Sequence, residues 1–175
     1  PASARARRVA PSPPIVGSKR VGLKMRDLCA IRDAIFEKAF ANNEMRGTAG
    51  AEIMIGTRGP DAICGEGGND IMKGGAGNDF IEGCWADDII WGGAGRDVFQ
   101  FYVYSSHDVI KDWQDRQDIL ELAFIGITLA DVQIVHESRL VHTLTVKGHP
   151  EFSIEVIGRG FGLEDVLLTN IASVP

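Results

Sequence analysis

Between residues 47 and 100 a carboxylate recurs at every ninth position: Glu52, Asp61, Asp70, Asp79, Asp88 and Asp97. Each lies five residues after a glycine, at Gly47, Gly56, Gly65, Gly74, Gly83 and Gly92 respectively. Acids stacked within ~4 Å of one another would repel by roughly 4 kcal/mol at an effective dielectric of 20. A hard divalent cation removes that repulsion when carboxylates and backbone carbonyls ligate it. No His or Cys converges on the array in the sequence, so an all-oxygen donor set favours Ca²⁺ over zinc or copper. The chemistry to expect here is metal binding.

The elements that must carry these acids follow from the rest of each nine-residue unit. The six units read GTAGAEIMI, GTRGPDAIC, GEGGNDIMK, GGAGNDFIE, GCWADDIIW and GGAGRDVFQ. Their eighth position is always apolar: Met54, Ile63, Met72, Ile81, Ile90 and Phe99. The first six residues of a unit are turn material. The last three suit a very short strand with one inward side chain. Two units make an 18-residue coil with a strand on each face, and stacked coils would lie ~4.8 Å apart. The eighth column then forms the core, and the acids line two edges. One edge stacks Glu52, Asp70 and Asp88; the other stacks Asp61, Asp79 and Asp97. The seventh and ninth columns are expected to face outward.

These units resemble the RTX nonapeptide, G-G-x-G-x-D-x-U-x, a calcium-binding β-helix repeat. GGAGNDFIE and GGAGRDVFQ match every fixed column, whereas GCWADDIIW lacks two of the glycines and GTAGAEIMI has Glu for Asp. The resemblance implies an all-β fold built on a parallel β-roll, or β-solenoid, of about three coils. It implies Ca²⁺ ligation by the six acids, with Asp61/Asp79 and Asp79/Asp97 the best-formed pairs and Glu52/Asp70 the weakest. It also implies backbone ligands from turn positions such as Gly74, Ala76, Gly92 and Ala94.

Downstream, residues 101–175 resemble the segment that follows the roll in serralysin-type secreted proteins: a strand, the turn Ile110-Lys111-Asp112-Trp113, and the strand Asp118-Ile119-Leu120-Glu121-Leu122. LVHTLTVKG and FSIEVIG alternate like hairpin strands around Lys147-Gly148-His149-Pro150. The segment is expected to form a strand-rich C-terminal cap. Asp112, Asp115 and Asp118 are read as a solvated acidic turn in preference to a further calcium site, and His142 as a surface position. Upstream, residues 1–20 hold four of the seven prolines and read as a disordered arm. Residues 21–46 suit an amphipathic helix, ending near Asn42-Asn43, that caps the roll.

Charge is unevenly spread. Residues 1–46 carry ten Lys/Arg against four Asp/Glu, whereas residues 47–100 carry three against nine. A whole-chain charge of −6 argues against a nucleic-acid partner. No apolar run reaches the ~18–20 residues of a membrane span, and no Sec leader pattern follows the N-terminal arginines. No HExxH or GxSxG is present, and the four histidines lack metal-ligand spacing. Cys29, Cys64 and Cys84 make an odd count with no CxxC pair.

The sequence therefore points to a non-catalytic module that folds on extracellular Ca²⁺. By resemblance it is secreted through a type I machinery with an uncleaved C-terminal signal. Two alternatives stand beside this. The chain is the C-terminal part of a larger secreted enzyme, a protease, lipase or alginate epimerase with its catalytic domain upstream; or it is a repetitive adhesive surface that binds sugar or ice.

Overall fold

A computed structural model describes residues 43–102, 107–124 and 126–170. Thirteen strands form two sheets that wind around each other as a solenoid. The first seven strands are β1 (Glu44–Arg46), just before the repeats, and β2 (Ile53–Ile55), β3 (Ala62–Cys64), β4 (Ile71–Ala76), β5 (Phe80–Glu82), β6 (Ile89–Ala94) and β7 (Val98–Tyr102) within them. Beyond them lie β8 (His107–Trp113), β9 (Ile119–Phe124), β10 (Val132–His136), β11 (Val141–Val146), β12 (His149–Gly158) and β13 (Val166–Asn170). One sheet runs β1-β3-β5-β7-β9-β13; the other runs β10-β11-β12-β8-β6-β4-β2.

Alternate units fall on alternate sheets because each three-residue strand ends at a glycine turn that reverses the chain. Register is in phase with the repeat: Met54 pairs with Met72 and Met72 with Ile90, while Ile63 pairs with Ile81 and Ile81 with Phe99. All six eighth-column side chains are buried in one core. No single strand buries much, so stacking supplies the apolar contact that holds the coils.

The roll is about four turns tall and overruns the glycine repeats at both ends. β1 starts it half a coil early, placing Met45 beside Ile63. Of the segment assigned to an amphipathic helix, residues 44–46 form this strand, and the rest lies outside the described residues, as does the arm at 1–20. At the far end β8 and β9 continue the two stacks, placing Ile110 on Ile90 and Leu120 on Phe99. Trp113 then closes the core, with its ring 6.0 Å from Phe99 and edge-on to Phe161 at 5.0 Å. The hairpin expected around Lys147-Gly148 forms as β11 and β12, and β13 lies parallel to β9.

Two outward assignments need correction. In the seventh column Ile53 is 70% exposed, but Ala62, Phe80 and Val98 are buried. They form an apolar row across β3, β5 and β7 that continues to Ile119. Period-two alternation gives a residue's side of a sheet, not whether that side meets water. His142, expected on the surface, is buried: its Nε2 lies 3.0 Å from the Gly158 carbonyl oxygen, and its Nδ1 lies 2.7 Å from Nδ1 of His136.

Candidate metal centre

The sixth-column acids leave the strand faces and turn back along the roll. Asp79 Oδ1 accepts from the Asp61 backbone N–H at 2.9 Å, and Asp97 Oδ1 from the Asp79 N–H at 3.0 Å. On the other edge, Asp70 Oδ1 accepts from Glu52 N–H and Asp88 Oδ1 from Asp70 N–H, both at 2.8 Å. Each carboxylate thus satisfies the amide of the equivalent residue one coil earlier, an amide with no strand partner. Both expected edges form, and each is a hydrogen-bonded ladder.

The second oxygen is the one that matters for a metal. Oδ2 of Asp70, Asp79, Asp88 and Asp97 is fully buried and has no hydrogen-bond partner. A buried carboxylate oxygen without a donor is costly. These oxygens face the first-column glycines, which leave no room for a side chain. A Cβ on Gly65 would fall 2.5 Å from Asp70 Oδ2 and 2.7 Å from the Gly83 carbonyl oxygen. One on Gly74 would fall 2.5 Å from the Gly92 carbonyl oxygen and closer still to Asp79 Oδ2. Carboxylate and carbonyl oxygens therefore converge in the cradles beside Gly65 and Gly74, the hard-donor combination that Ca²⁺ takes at 2.3–2.6 Å.

Among the expected backbone donors, the carbonyls of Gly74 and Gly92 lie in such cradles. Ala76 and Ala94 stack in register at the turn, and the Ala94 carbonyl accepts the Gly77 N–H at 2.9 Å. Gly65 and Gly83 offer the same carbonyl on the other edge; their first-column position was the signal for it.

Glu52 and Asp61, in the first coil, differ from the four others. The Thr57 N–H reaches Asp61 Oδ2 at 2.6 Å, with the Thr57 hydroxyl at 3.0 Å, and Thr48 donates to Glu52 in the same way. Threonine in the second column thus occupies the oxygens that stay bare deeper in the roll. The electrostatics follow. Hydrogen bonds from Thr48 hold Glu52 below the usual carboxylate range. Burial, reinforced by neighbouring carboxylates, raises Asp70, pushes Asp79 up to about 6, and pushes Asp88 and Asp97 up to about 8.

The ladders also extend past the repeats. Asp108 Oδ1 accepts from the Asp88 N–H at 2.9 Å, and Asp118 Oδ1 from the Asp97 N–H at 3.1 Å. Asp118 is buried and pushed up to about 7 by desolvation, so the reading of Asp112, Asp115 and Asp118 as a solvated turn fails for it. Asp112 receives the Gly92 and Gly93 N–H groups, both at 2.9 Å, and Gln114 donates to the Gly93 carbonyl. These side chains take the place of the next coil. At the opposite end, Asn43 Nδ2 donates to Asp61 Oδ1 at 2.6 Å. Asn43 is itself a sixth-column residue, one unit before Gly47.

The RTX calcium-binding nonapeptide repeat, in four copies, matches residues 46–81 and 65–99. No curated protein matches the chain in sequence. Among solved structures, the AlgE6R2 subunit from the Azotobacter vinelandii mannuronan C5-epimerase is similar, with a TM-score of 0.55 at 21% identity, over 75% of this chain and 96% of that one. The AlgE6R3 subunit of the same enzyme gives a TM-score of 0.54 at 20% identity, over 73% of this chain and 82% of that one. At these identities the likeness is one of fold. Repeat pattern, register and buried carboxylates agree, and residues 46–99 are RTX calcium-binding nonapeptide repeats wound into a parallel β-roll.

Proposed function

We propose that this chain is a non-catalytic module whose folding is coupled to extracellular Ca²⁺, and that it supports the type I secretion and the stability of a secreted protein. The observation that carries the reading is the set of four buried, unpartnered Oδ2 atoms on two ladders. Asp70, Asp79, Asp88 and Asp97 would hold the ions, with carbonyls of Gly74, Gly83 and Gly92 beside them and with Glu52, Asp61, Ala76 and Ala94 as further candidates. Bound Ca²⁺ supplies the positive charge that these oxygens lack. Without it the stacked carboxylates repel and desolvate at a cost, so the chain stays open in a calcium-poor cytosol. Ligand that binds only the folded form stabilises it by RT ln(1 + [L]/Kd), and sites with Kd of roughly 10⁻⁴–10⁻³ M would respond to extracellular calcium.

Far-UV circular dichroism during titration from EDTA to millimolar CaCl₂, with MgCl₂ as control, tests the coupling. A cooperative, calcium-specific gain of β signal is expected; a spectrum already folded in EDTA and indifferent to calcium would sink it. Export is a separate question. Co-expression with a type I exporter should move the chain into the medium, and deletion of its C-terminal segment should retain it.

The second reading, a module attached to a secreted enzyme, is favoured by the fact that the two similar structures named above are subunits of an epimerase. A catalytic domain encoded directly before Pro1 would decide for it.

A further inference from the structure

Where β3 and β5 meet the turn that begins at Gly83, Cys64, Glu82 and Cys84 bring their ligand atoms within 4.8 Å of one another. Cys64 ends β3 and is paired directly with Glu82, which ends β5; Cys84 follows two residues later in a turn at φ 71°. The two Sγ atoms are 3.5 Å apart, and the Cys84 thiol lies 3.0 Å from Glu82 Oε1. Both thiols are free and half-buried.

We propose that Cys64 and Cys84 form a reversible disulfide that staples the coil of β3 to the coil of β5. The sulfurs need to close by about 1.5 Å, from 3.5 Å to the ~2 Å of a disulfide. A metal fits less well. Structural zinc takes four ligands, the described cluster offers three, and Arg46 is paired in register with Cys64, placing a cation beside it.

The oxidant is a small disulfide such as oxidised glutathione. One cysteine, as thiolate, attacks a sulfur of that disulfide and releases one small thiolate. The second cysteine then attacks the mixed disulfide and releases the other. The two protein thiols lose two protons and two electrons, and one small disulfide becomes two thiols. The staple joins the chain where GCWADDIIW departs furthest from the glycine pattern, and it narrows the open ensemble from which the roll must fold. Its effect on calcium demand rests on the calcium-coupled folding proposed above; its formation does not.

The test uses the full chain with Cys29→Ser, incubated with oxidised glutathione and calcium and then mapped by peptide mass. One linked pair containing residues 64 and 84, lighter by two hydrogens, is expected, whereas Cys64→Ser and Cys84→Ser each give only a glutathione adduct. Independent adducts on both cysteines, or two thiols left free, would overturn the staple. In circular dichroism the oxidised chain should reach its calcium midpoint at about one third or less of the concentration the reduced chain needs, by restriction of the unfolded state. A linked chain with an unchanged midpoint would overturn the coupling to folding and leave only the bond.

Discussion

The two edges of the roll carry the same ladder on different backbones. On the edge of Asp61, Asp79 and Asp97, the turns reach positive φ at glycines: Gly75 at 109°, Gly77 at 135°, Gly93 at 96° and Gly95 at 146°. Here β4 and β6 run on through the turn, pairing Gly75 with Gly93 and Ala76 with Ala94. On the edge of Glu52, Asp70 and Asp88, the equivalent positions hold Glu66 at 67°, Cys84 at 71° and Ala86 at 77°, with glycine only at Gly68 (90°), and only an isolated bridge joins Gly67 to Trp85. A left-handed residue with a Cβ costs roughly 1–2 kcal/mol. The comparison teaches that the carboxylate column is enforced more strictly than the glycines that make its turn cheap.

The largest expected contrast is between single acids. Asp79→Ala removes an acceptor and a ligand on the glycine-built edge, and should raise the calcium midpoint of β formation more than about tenfold. Asp88→Ala on the strained edge should raise it only about threefold, because less binding energy is left there after the turn strain. Equal shifts in parallel dichroism titrations would erase the distinction between the edges.

A pH series in EDTA comes next. The buried acids have folded-state values of about 6 to about 8, above the ordinary 3.8, so the folded form holds more protons than the unfolded one. The calcium-free roll should therefore be most stable below about pH 4 and lose stability as pH rises through 6 to 8. Thermal unfolding at pH 5 and pH 8.5 checks this, and a higher melting temperature at pH 8.5 would contradict it.

Smaller effects sharpen the backbone argument. Gly75→Ala forces a Cβ into φ 109° and against the Thr57 carbonyl. It should cost roughly 2–3 kcal/mol, lowering the melting temperature of the calcium-loaded chain by about 5–10 °C. The converse change, Ala86→Gly, relieves a φ of 77° and should gain up to about 1 kcal/mol. Loss of stability in that variant, by calorimetry, would show that the strained turn is compensated elsewhere.

Much of this was legible in the sequence because the period is strict. A nine-residue phase between glycine, acid and apolar residue specifies sheets, register and core together, and the Lys147-Gly148 turn announces its hairpin. What escaped had broken the period. Asp108 and Asp118 succeed Asp88 and Asp97 after 20 and 21 residues rather than 18, with no glycine five residues before either. Asn43 keeps the phase but lacks the charge. The burial of Phe80 and Val98 and the approach of Cys64 to Cys84 occur in columns the repeat leaves variable, and periodicity carries no information about those.

The direction of the ladder has one more consequence. From Asp70 onward each acid of the ladders reaches back to the amide of the coil before it, and Asp112 and Gln114 cap the Gly92–Gly93 turn, to which a further glycine turn would bond. In polymer terms this turn is a chain terminator. Whole 18-residue pairs inserted between the start of the repeats and this terminator should be accepted as added length, ~4.8 Å of height for each.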